Sequence, residues 1–472
     1  MATLPILNST IQMENTVINV VILAAGKGTR MMSNYPKVLA PIGGQPLLAH
    51  VIETATELTK APPTVIVGHG ADQIKQQFSQ GVDYVEQREQ LGTGHAVMQA
   101  LPYLQDDATV LILCGDVPLI RTETLLKLTA RVDDKTMALL TIVLDDPTGY
   151  GRILRNDSDE VVGIVEQKDA TATQVAINEV NTGVMAATGS QLKRWLPMLS
   201  NDNAQGEYYL TDIIAMSNAD KVAVATEQVA NAWEVQGVNN RLQLSQLERE
   251  YQRLQAEELM HKGVTLFDPQ RFDCRGRITA GRDVVIDINC VFEGKIVLGD
   301  NVAIGPNVTV KNSVIGDNTT IFANSVIEES HIDSDCVVGP FARLRPKTNL
   351  GRSAKIGNFV ETKASNIGVG SKVNHLSYVG DSELGVNVNV GAGTITCNYD
   401  GANKSKTIIG DNVFIGSNSA LVAPLTIKHD STVGAGSTVN KDIDAEELVI
   451  TRVQQRHIKN WQRPKKKNVT EK

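Results

Sequence analysis

Residues 409–439 read IGDNVFIGSNSALVAPLTIKHDSTVGAGSTV and repeat one feature every six positions. The repeated apolar residues are Ile409, Ile415, Leu421, Ile427, Val433 and Val439. Because six is a multiple of the two-residue period of a strand but not of the 3.6-residue period of a helix, these side chains share one face of successive strands. The stretch predicts a hexapeptide-repeat parallel β-helix with a continuous apolar column inside it.

The same interval of six extends upstream and is recognisable from about residue 278. It joins Leu298, Ile304 and Val310, then Ile315, Ile321 and Ile327, and then Ile332, Val338, Leu344, Leu350 and Ile356. The six-residue period reveals neither the hand of the coil nor an oligomeric state. General connection rules favour right-handed crossovers, but the period itself is the same for either hand. The second half of the chain is therefore predicted to be a β-helix of unspecified hand.

The first half alternates short β-branched runs with longer amphipathic stretches, which is typical of a layered α/β domain with a largely parallel sheet. We predict strands at Val17–Ala25, Thr64–Val67, Val110–Leu113 and Met137–Val143, and helices at Pro46–Glu57 and Thr122–Ala130.

A stretch between the halves, Asn240–His261, has apolar residues at helical spacing and charged residues elsewhere. It predicts one exposed linker helix, more plausibly a spacer than a partner-binding helix. The predicted domains are residues 1–241, 242–262 and 263–472.

Composition restricts the function. The 472 residues include 53 acidic and 45 basic side chains, a formal charge of −8, which argues against a general nucleic-acid binder. Five scattered cysteines suggest neither a disulfide framework nor a zinc site, and no apolar run is long enough to span a membrane. We expect a cytoplasmic protein with no membrane partner, and we interpret Lys465–Lys467 as a solvated tail rather than a polybasic membrane contact.

The first predicted strand runs into Leu23-Ala-Ala-Gly-Lys-Gly-Thr-Arg-Met31, with Pro36-Lys37 just beyond. Glycine at a strand end lets backbone N–H groups approach an anion, and Arg30 and Lys37 can neutralise phosphate charge. A P-loop would need Gly-Lys-Ser or Gly-Lys-Thr, and a dinucleotide fingerprint would need glycine in place of Met31. The loop is a candidate phosphate site; the alternative is a tight turn with surface charges.

A second strand, Leu111–Cys114, leads into Gly115 and Asp116. Ligands of open α/β sheets bind at the carboxyl ends of the strands. A carboxylate there is a natural ligand for Mg²⁺, although an Asp in a turn before Pro118 would look the same.

These motifs, together with Gln90-Leu-Gly-Thr93, resemble those of the sugar-1-phosphate nucleotidyltransferases. Joined to a hexapeptide β-helix, they resemble a bacterial family of bifunctional enzymes, and the resemblance covers all but about the first 15 residues. It implies uridylyl transfer from UTP to N-acetylglucosamine 1-phosphate with Mg²⁺. It also implies acetyl transfer from acetyl-CoA to glucosamine 1-phosphate.

The resemblance also assigns residues for uridylyl transfer. It implies that Leu23, Ala24, Ala25, Gly26, Cys114 and Gly115 hold the nucleotide, that Gln87, Gly92 and Thr93 read the uracil, and that Gly151, Glu166 and Asn181 contact the sugar. Lys37 is expected on the phosphates, Arg30 on the leaving pyrophosphate, and Asp116 with Asn239 on the metal. The family usually has Tyr where this chain has Cys114, so any contact of that Tyr ring or hydroxyl is in doubt.

Polar residues interrupt the β-helix around His375. Arg343, Arg345 and Lys363 form a basic cluster upstream, and the Gly-rich stretch 391–401 follows. A lone histidine is more often structural, but this setting favours a catalytic one. An ammonium must lose a proton before it attacks a thioester, and imidazole, with an ordinary pKa near 6.5, suits that task.

The resemblance implies that His375 is this base and that Glu361 orients it. It places Arg345, Lys363, Tyr378 and Asn389 on the sugar phosphate, and Ala392, Asn398, Tyr399, Ser417, Ala435 and Arg452 on acetyl-CoA. It further implies a left-handed coil and a homotrimer with acetyl-CoA bound between subunits.

Three alternatives stay open at this point. The β-helix could be only a scaffold for a single-activity nucleotidyltransferase, although His375 and Lys363 weigh against that. The enzyme could use dTTP or another sugar. A non-catalytic assembly protein is the third, which Lys37, Asp116 and His375 make less plausible.

Overall fold

The β-branched runs of the first half form one mixed sheet in the computed structural model, which describes residues 17–464. The strands are β1 (Ile18–Ala24), β2 (Pro41–Ile42), β3 (Gln45–Pro46), β4 (Thr64–Val67), β5 (Asp83–Glu86), β6 (Thr109–Cys114), β7 (Thr136–Val143), β8 (Arg152–Arg155), β9 (Val161–Val165), β10 (Glu179–Thr188) and β11 (Ala223–Gln228). The main sheet has the order β11-β7-β10-β6-β1-β4-β5, with β8 and β9 joined to β10 and with β2 and β3 forming a separate hairpin. Along this order, β10 runs antiparallel to β6 and β7, and the other four pairings are parallel, as predicted. The added strand β8 is antiparallel to both β10 and β9.

Helices pack on this sheet. They are α1 (Leu47–Thr59), α2 (Ala71–Gln77), α3 (Thr93–Met98), α4 (Thr122–Thr129), α5 (Ala172–Val175), α6 (Gly189–Trp195), α7 (Ile213–Ala219), α8 (Ala232–Val235) and α9 (Arg241–His261). Apolar clusters form on both faces of the sheet because alternate residues of β1 and β6 point to opposite sides. β1 and β6 pair in register from Ile18 and Thr109, so the glycine-rich loop and Asp116 leave the sheet at the same edge.

The helix α9 differs from the exposed spacer that its charge pattern predicts. Leu247 and Ala256 are fully buried, and Leu247 belongs to an apolar cluster with Met31 and Val238. Ala256 belongs instead to the apolar column of the second half. The described residues fall into two units, one ending at Leu254 and the other beginning at Gln255, so each unit contains part of α9.

The second unit is a parallel β-helix whose coils stack their strands into three ladders, and the two long strands at its start run through both the second and the third ladder. The first ladder contains Thr265–Leu266, Val285–Ile286, Ala303–Ile304, Thr320–Ile321, Val337–Val338, Lys355–Asn358, Lys372–His375, Asn389–Val390, Phe414–Ile415, Thr432–Val433 and Leu448–Val449. The second contains Phe272–Ala280, Cys290–Leu298, Thr309–Lys311, Val326–Glu328, Arg343–Leu344, Glu361–Lys363, Tyr378–Gly380, Ile395–Cys397, Ala420–Val422 and Thr438–Val439. The third contains Val314–Ile315, His331–Ile332, Asn349–Leu350, Asn366–Ile367, Ser382–Leu384, Thr407–Ile409 and Leu425–Ile427.

The predicted apolar column lies inside this β-helix. All six residues from Ile409 to Val439 are at most 2% exposed. Equivalent contacts of most successive coils are 17 or 18 residues apart, which is close to three six-residue repeats. The coils begin at Thr265, earlier than the repeat is recognisable, because the long strands Phe272–Ala280 and Cys290–Leu298 hide it.

Two sequence interpretations, the N-terminal extension 1–16 and the tail Lys465–Lys467, lie outside the described residues. Within residues 17–464, none of the helices has both the length and the apolar composition that crossing a membrane requires. No disulfide joins any of the five cysteines, all of which belong to the described part of the chain.

Candidate functional site

The glycine-rich loop borders a cleft of about 550 Å³ in the first unit. A Cβ on Gly28, whose φ is +58°, would lie 2.6 Å from Lys37 Cβ, so glycine lets the loop lie against Lys37. The cleft is lined by Leu23, Ala24, Ala25, Gly26, Lys27, Lys37, Val38, Gln87, Gln90, Gly92, Thr93, Ala96, Cys114, Asp116 and Glu207. The structure thus brings together the residues expected to hold the nucleotide; Gly115 joins them through its N–H, which donates to Leu23 O at 2.9 Å.

Four polar side chains meet where this cleft joins a second cavity. Lys37 Nζ lies 2.5 Å from Asp116 Oδ2 and 3.1 Å from Asn239 Oδ1. Asn239 Oδ1 also accepts a hydrogen bond from Arg30 Nη2 at 3.0 Å. The N–H of Val238 donates to Asp116 O at 3.0 Å, which holds the two chain segments side by side.

This arrangement fits a magnesium ion. Asp116 Oδ2 and Asn239 Oδ1 both contact Lys37 Nζ, so the two oxygens already converge on one cation. Mg²⁺ commonly takes one or two protein oxygens and completes its shell with phosphates and water. Within residues 17–464, no group of three or more His, Cys, Asp or Glu side chains is placed to hold a metal. Substrate oxygens would therefore have to supply the remaining ligands.

The opposite wall of the cleft is built around Gln87, which is 3% exposed. Its Nε2 donates to Gly92 O at 3.1 Å and lies 3.1 Å from His95 Nδ1. Thr93 Oγ1 accepts from the N–H of Leu210 at 3.1 Å. His95 was not predicted, because only the fold brings its ring to the Gln87 amide.

The second cavity, of about 260 Å³, is lined by Arg30, Cys114, Asp116, Val117, Thr148, Gly149, Tyr150, Thr182, Val235, Gly237, Asn239 and Gln243. Gly151 and Asn181 lie beside this wall, with Asn181 N–H donating to Gly151 O at 2.9 Å. Glu166 lies behind Gly151, where a Cβ would come within 3.4 Å of Glu166 Oε1. The three residues predicted to contact the sugar are therefore adjacent. Residues 148–150 also line the cavity, which no sequence motif indicated.

Burial raises the pKa of Glu166, and the nearby Asp169 and Asp212 carboxylates raise it further. A hydrogen bond from Thr211 Oγ1, at 3.2 Å, acts in the opposite direction. Glu166 is therefore a carboxyl group that holds its proton more tightly than an exposed glutamate does.

Cys114 lines both cavities at the end of β6. Burial, with a smaller contribution from the Asp116 carboxylate, raises the pKa of the thiol to about 12. Its Sγ lies 3.8 Å from Gly183 O. The thiol is therefore neutral at physiological pH and is not a nucleophile there.

In the second unit, His375 lies at the corner between the first and second ladders. Its Nδ1 lies 2.8 Å from Asn358 Oδ1, on the preceding coil. Glu361, expected to orient the ring, instead accepts a hydrogen bond from Arg345 Nη1 at 2.8 Å. The stacking of coils explains this difference, since Asn358 pairs directly with His375 whereas Glu361 pairs with Tyr378.

A loop inserted after Cys397 completes this corner. Asn398 Nδ2 donates to Tyr378 Oη at 3.5 Å and to Asp381 Oδ2 at 2.5 Å. Lys404, on the returning arm, faces Lys363, and the pKa of Lys404 is lowered because the two ammonium groups are close. Two adjacent cations favour an anionic ligand, and Lys404 is a further candidate that only the folded loop reveals.

Asn389 lies apart from this group. It pairs with Lys372, three residues before His375 on the first ladder, which is about 10 Å along a strand. Tyr399 Oη bonds within its own loop, to Gly401 O at 2.6 Å. Within one chain, the expected sugar-phosphate residues are therefore only partly assembled.

The expected acetyl-CoA residues follow the same corner along the coils. Val373, Val390, Ile415 and Val433 are in register on the first ladder. The residues two positions after them are His375, Ala392, Ser417 and Ala435. Arg452 Nη1 donates to Ala435 O at 2.8 Å, at the end of this line. One edge of the β-helix thus contains the candidate base and a straight row of residues, one on each coil and about 4.8 Å apart, along which a long ligand could bind.

Comparisons with known proteins agree with both units. Residues 20–162 match the model of the MobA-like NTP transferase domain, residues 274–360 that of the GMPPB C-terminal domain, and residues 406–441 that of the bacterial transferase hexapeptide (six repeats). The chain is 60% identical to the Bifunctional protein GlmU of Cellvibrio japonicus over 453 residues, 96% of this chain and 100% of that protein. It is also 60% identical to the protein of the same name from Saccharophagus degradans over 452 residues, again 96% of this chain and 100% of that protein.

Among solved structures, a nucleotidyl transferase from Methanothermobacter thermautotroptrophicus aligns with a TM-score of 0.38 and 18% identity, covering 50% of this chain and 99% of that one. A glucose-1-phosphate thymidylyltransferase from Bacillus anthracis, described as putative by its name, aligns with a TM-score of 0.40 and 17% identity, covering 49% and 94%.

Proposed function

The chain belongs to the family of the bifunctional protein GlmU, and from this we infer that it makes UDP-N-acetylglucosamine in two reactions. The β-helix unit transfers an acetyl group from acetyl-CoA to the amine of glucosamine 1-phosphate. The α/β unit then transfers the uridylyl group of UTP to N-acetylglucosamine 1-phosphate and releases pyrophosphate. The observation that carries this conclusion is identity of 60% along 96% of the chain, across both an NTP transferase unit and a hexapeptide β-helix.

For uridylyl transfer, we propose that the cleft binds UTP and that the second cavity binds the sugar phosphate. Mg²⁺ held by Asp116 and Asn239 would neutralise charge on the phosphate oxygens. Lys37 and Arg30 already point to that position and would hold the triphosphate as it reacts. The attacking phosphate is an anion and needs no general base, so positioning and charge neutralisation account for catalysis.

For acetyl transfer, we propose that Asn358 sets the tautomer of the base. The Asn358 Oδ1 atom accepts a hydrogen bond from His375 Nδ1–H, which leaves the lone pair on Nε2 to take a proton from the substrate ammonium. Lys363 and Lys404 with Arg345 would hold the phosphate, and Glu361 would fix the Arg345 guanidinium. The neutral amine then attacks the thioester, and coenzyme A leaves.

We propose a homotrimer as the working assembly. Phe341 and Phe359 stack with ring centroids 5.3 Å apart at the corner beside His375, yet they are 49% and 56% exposed. Leu376 continues this ridge at 64% exposed, and the segment 451–464 is exposed throughout. A neighbouring β-helix would cover the ridge and could supply the Asn389 that one chain leaves about 10 Å away.

The net charge of −8 argues against a nucleic-acid partner, and cysteines without disulfides are consistent with the reducing cytoplasm that we propose as its location.

A coupled mass-spectrometric assay tests the two-site assignment. Purified protein receives glucosamine 1-phosphate, acetyl-CoA, UTP and Mg²⁺, with each reagent omitted in turn. UDP-N-acetylglucosamine should form only in the complete mixture. If product forms only when N-acetylglucosamine 1-phosphate is supplied, the β-helix is a scaffold, and if no product forms even then, the substrate pair is wrong.

Two substitutions then separate the sites. His375→Ala should reduce acetyl transfer by about 10²–10⁴-fold, the usual effect of general-base catalysis, and leave uridylyl transfer within twofold. Asp116→Ala should do the reverse. Loss of both activities in either folded variant would contradict two independent sites.

A further inference from the structure

Arg152 is a buried cation next to the proposed sugar cavity. It begins β8, is 1% exposed, and is among the largest fully buried side chains of the chain. Burying a guanidinium group is costly unless its N–H groups are bonded. Among the described residues, the hydrogen-bond partners of Arg152 are neutral oxygens, and the Asp146 carboxylate is near enough for the guanidinium charge to help lower its pKa.

One of those partners lies in the cavity wall, and the other two belong to neighbouring segments. Arg152 Nη1 donates to Tyr150 O, Nη2 to Gln167 Oε1 at 3.3 Å, and Nε to Val175 O at 3.3 Å. Gln167 Oε1 also accepts from the N–H of Gly149. The guanidinium group therefore fixes two consecutive loop residues, Tyr150 directly and Gly149 through Gln167.

These loop residues face the substrate side. Thr148, Gly149 and Tyr150 line the second cavity opposite Asp116 and Asn239. The next residue, Gly151, is tied to Asn181 on β10. The loop thus has one anchor on the sheet and another on Arg152, and the second anchor lies behind the wall, out of solvent.

We propose that Arg152 is a positioning residue for the sugar phosphate, acting through the loop 148–151. This inference rests on the proposed function, because it assumes that the second cavity receives N-acetylglucosamine 1-phosphate. The planar guanidinium fork supplies several donors in a fixed geometry, and a lysine ammonium at the same place would keep the charge and lose that geometry. The loop therefore depends on the geometry of the guanidinium donors and not only on their positive charge.

The experiment compares Arg152→Lys with Arg155→Lys. Arg155 lies on the same strand and bonds Glu179 through Nε and Nη2, both at 2.8 Å, away from the loop. Steady-state kinetics of uridylyl transfer would give KM separately for N-acetylglucosamine 1-phosphate and for UTP. Acetyl transfer by the β-helix and thermal unfolding of the full chain serve as internal checks.

Arg152→Lys should raise KM for N-acetylglucosamine 1-phosphate about tenfold and leave KM for UTP within twofold. A tenfold change corresponds to roughly the net free energy of one hydrogen bond. Arg155→Lys should change neither KM by more than twofold. Equal increases in both KM values, or the same selective increase in Arg155→Lys, would overturn the proposal. A wild-type enzyme that does not use N-acetylglucosamine 1-phosphate would instead overturn the proposed function.

Gln167→Leu provides a second variant in case Arg152→Lys does not fold. It removes the link between Arg152 and Gly149 and leaves the Tyr150 contact intact. It should raise KM for the sugar phosphate in the same selective way, by a smaller factor of about threefold. No change in Gln167→Leu, with Arg152→Lys unfolded, would refute a role for the anchor.

Discussion

Cys114 lies at the end of β6, where the nucleotide cleft and the second cavity meet. Its surroundings decide its chemistry: burial and the Asp116 carboxylate favour the neutral thiol, and only Lys37 favours the thiolate. A sulfur here can fill space and contact the Gly183 carbonyl oxygen, but it cannot supply the ring or hydroxyl of the tyrosine that the family usually has.

The native thiol should therefore resist alkylation. With a pKa of about 12, it should react with iodoacetamide at pH 8 about a thousandfold more slowly than an exposed cysteine. Peptide mapping by mass spectrometry after timed labelling measures this, and denatured protein, in which Cys114 should label normally, is the control. Rapid labelling of Cys114 in the folded enzyme would show that its thiol is not held in the neutral form.

Glu166 should give the sugar site a pH dependence. Its pKa is raised in the folded protein, so the ionised carboxylate, which would accept a hydroxyl of the proposed sugar substrate, forms only above the ordinary range of a glutamate. KM for N-acetylglucosamine 1-phosphate should fall as the pH rises through that folded pKa. In the matched variant Glu166→Gln, this fall of KM with rising pH should be absent. If the variant has the same pH profile as the native enzyme, Glu166 is not the group responsible.

The same shift affects stability in the opposite direction. The folded state binds the Glu166 proton more tightly than the unfolded chain, so the contribution of this group is present at low pH and is lost as the pH rises from the unfolded to the folded pKa. Glu166→Gln should reduce that loss, as measured by urea unfolding between pH 4 and the folded pKa.

At the scale of elements, the turns of the β-helix depend on asparagine. Asn301, Asn318 and Asp335 stack on successive coils, with Asn301 Nδ2 3.1 Å from Asn318 Oδ1 and Asn318 Nδ2 3.2 Å from Asp335 Oδ1. All three have a left-handed backbone, with φ of 58° at Asn301, 57° at Asn318 and 62° at Asp335. Asparagine tolerates this conformation and adds bonds between coils.

Two substitutions separate these contributions. Asn318→Ala loses both the hydrogen bonds and the tolerance for positive φ, and should destabilise the β-helix by about 1–3 kcal/mol. Asn318→Gly loses the bonds but keeps the tolerance, and should cost less. Thermal unfolding of both variants checks the order, which would be reversed if the extra backbone entropy of glycine in the unfolded chain outweighed the strain of alanine at positive φ.

The elements also show what a sequence can predict. The six-residue period located the apolar column from Leu298 to Val439, because strand geometry repeats along the coil. The charge pattern of α9 failed to predict burial of Leu247 and Ala256, because it cannot tell a solvent-facing side from one covered by distant elements. His95, Asn358 and Lys404 were missed for a related reason: each acquires its role from a partner that only the folded chain brings beside it.

At the scale of the whole molecule, the two activities differ in what they need. The nucleotide cleft and the second cavity are formed within one unit of one chain. The corner around His375 instead adjoins the exposed Phe341–Phe359 ridge, and Asn389 pairs with Lys372, three residues before His375. The proposed trimer should therefore be required for acetyl transfer and dispensable for uridylyl transfer.

Phe359→Glu tests this requirement, because a charge on the ridge should prevent a second β-helix from covering it. We expect light scattering to report smaller species, acetyl transfer to fall at least tenfold, and uridylyl transfer to stay within twofold. Ile408→Glu, on the third ladder and opposite that corner, is the control and should leave assembly intact. Dissociation without loss of acetyl transfer would show that one chain holds a complete site.

The spacing of the coils limits how this protein can change length. Contacts between equivalent turns are mostly 17 or 18 residues apart. In the last coil, Thr432 pairs with Leu448, 16 residues on, and across the loop after Cys397, Val386 and Asp411 are 25 apart and the register still resumes. Losing a single residue from a strand would turn its inward side chains to solvent. Insertions and deletions should therefore survive in evolution only as outward loops at corners or as whole coils, each of which lengthens the unit by about 4.8 Å.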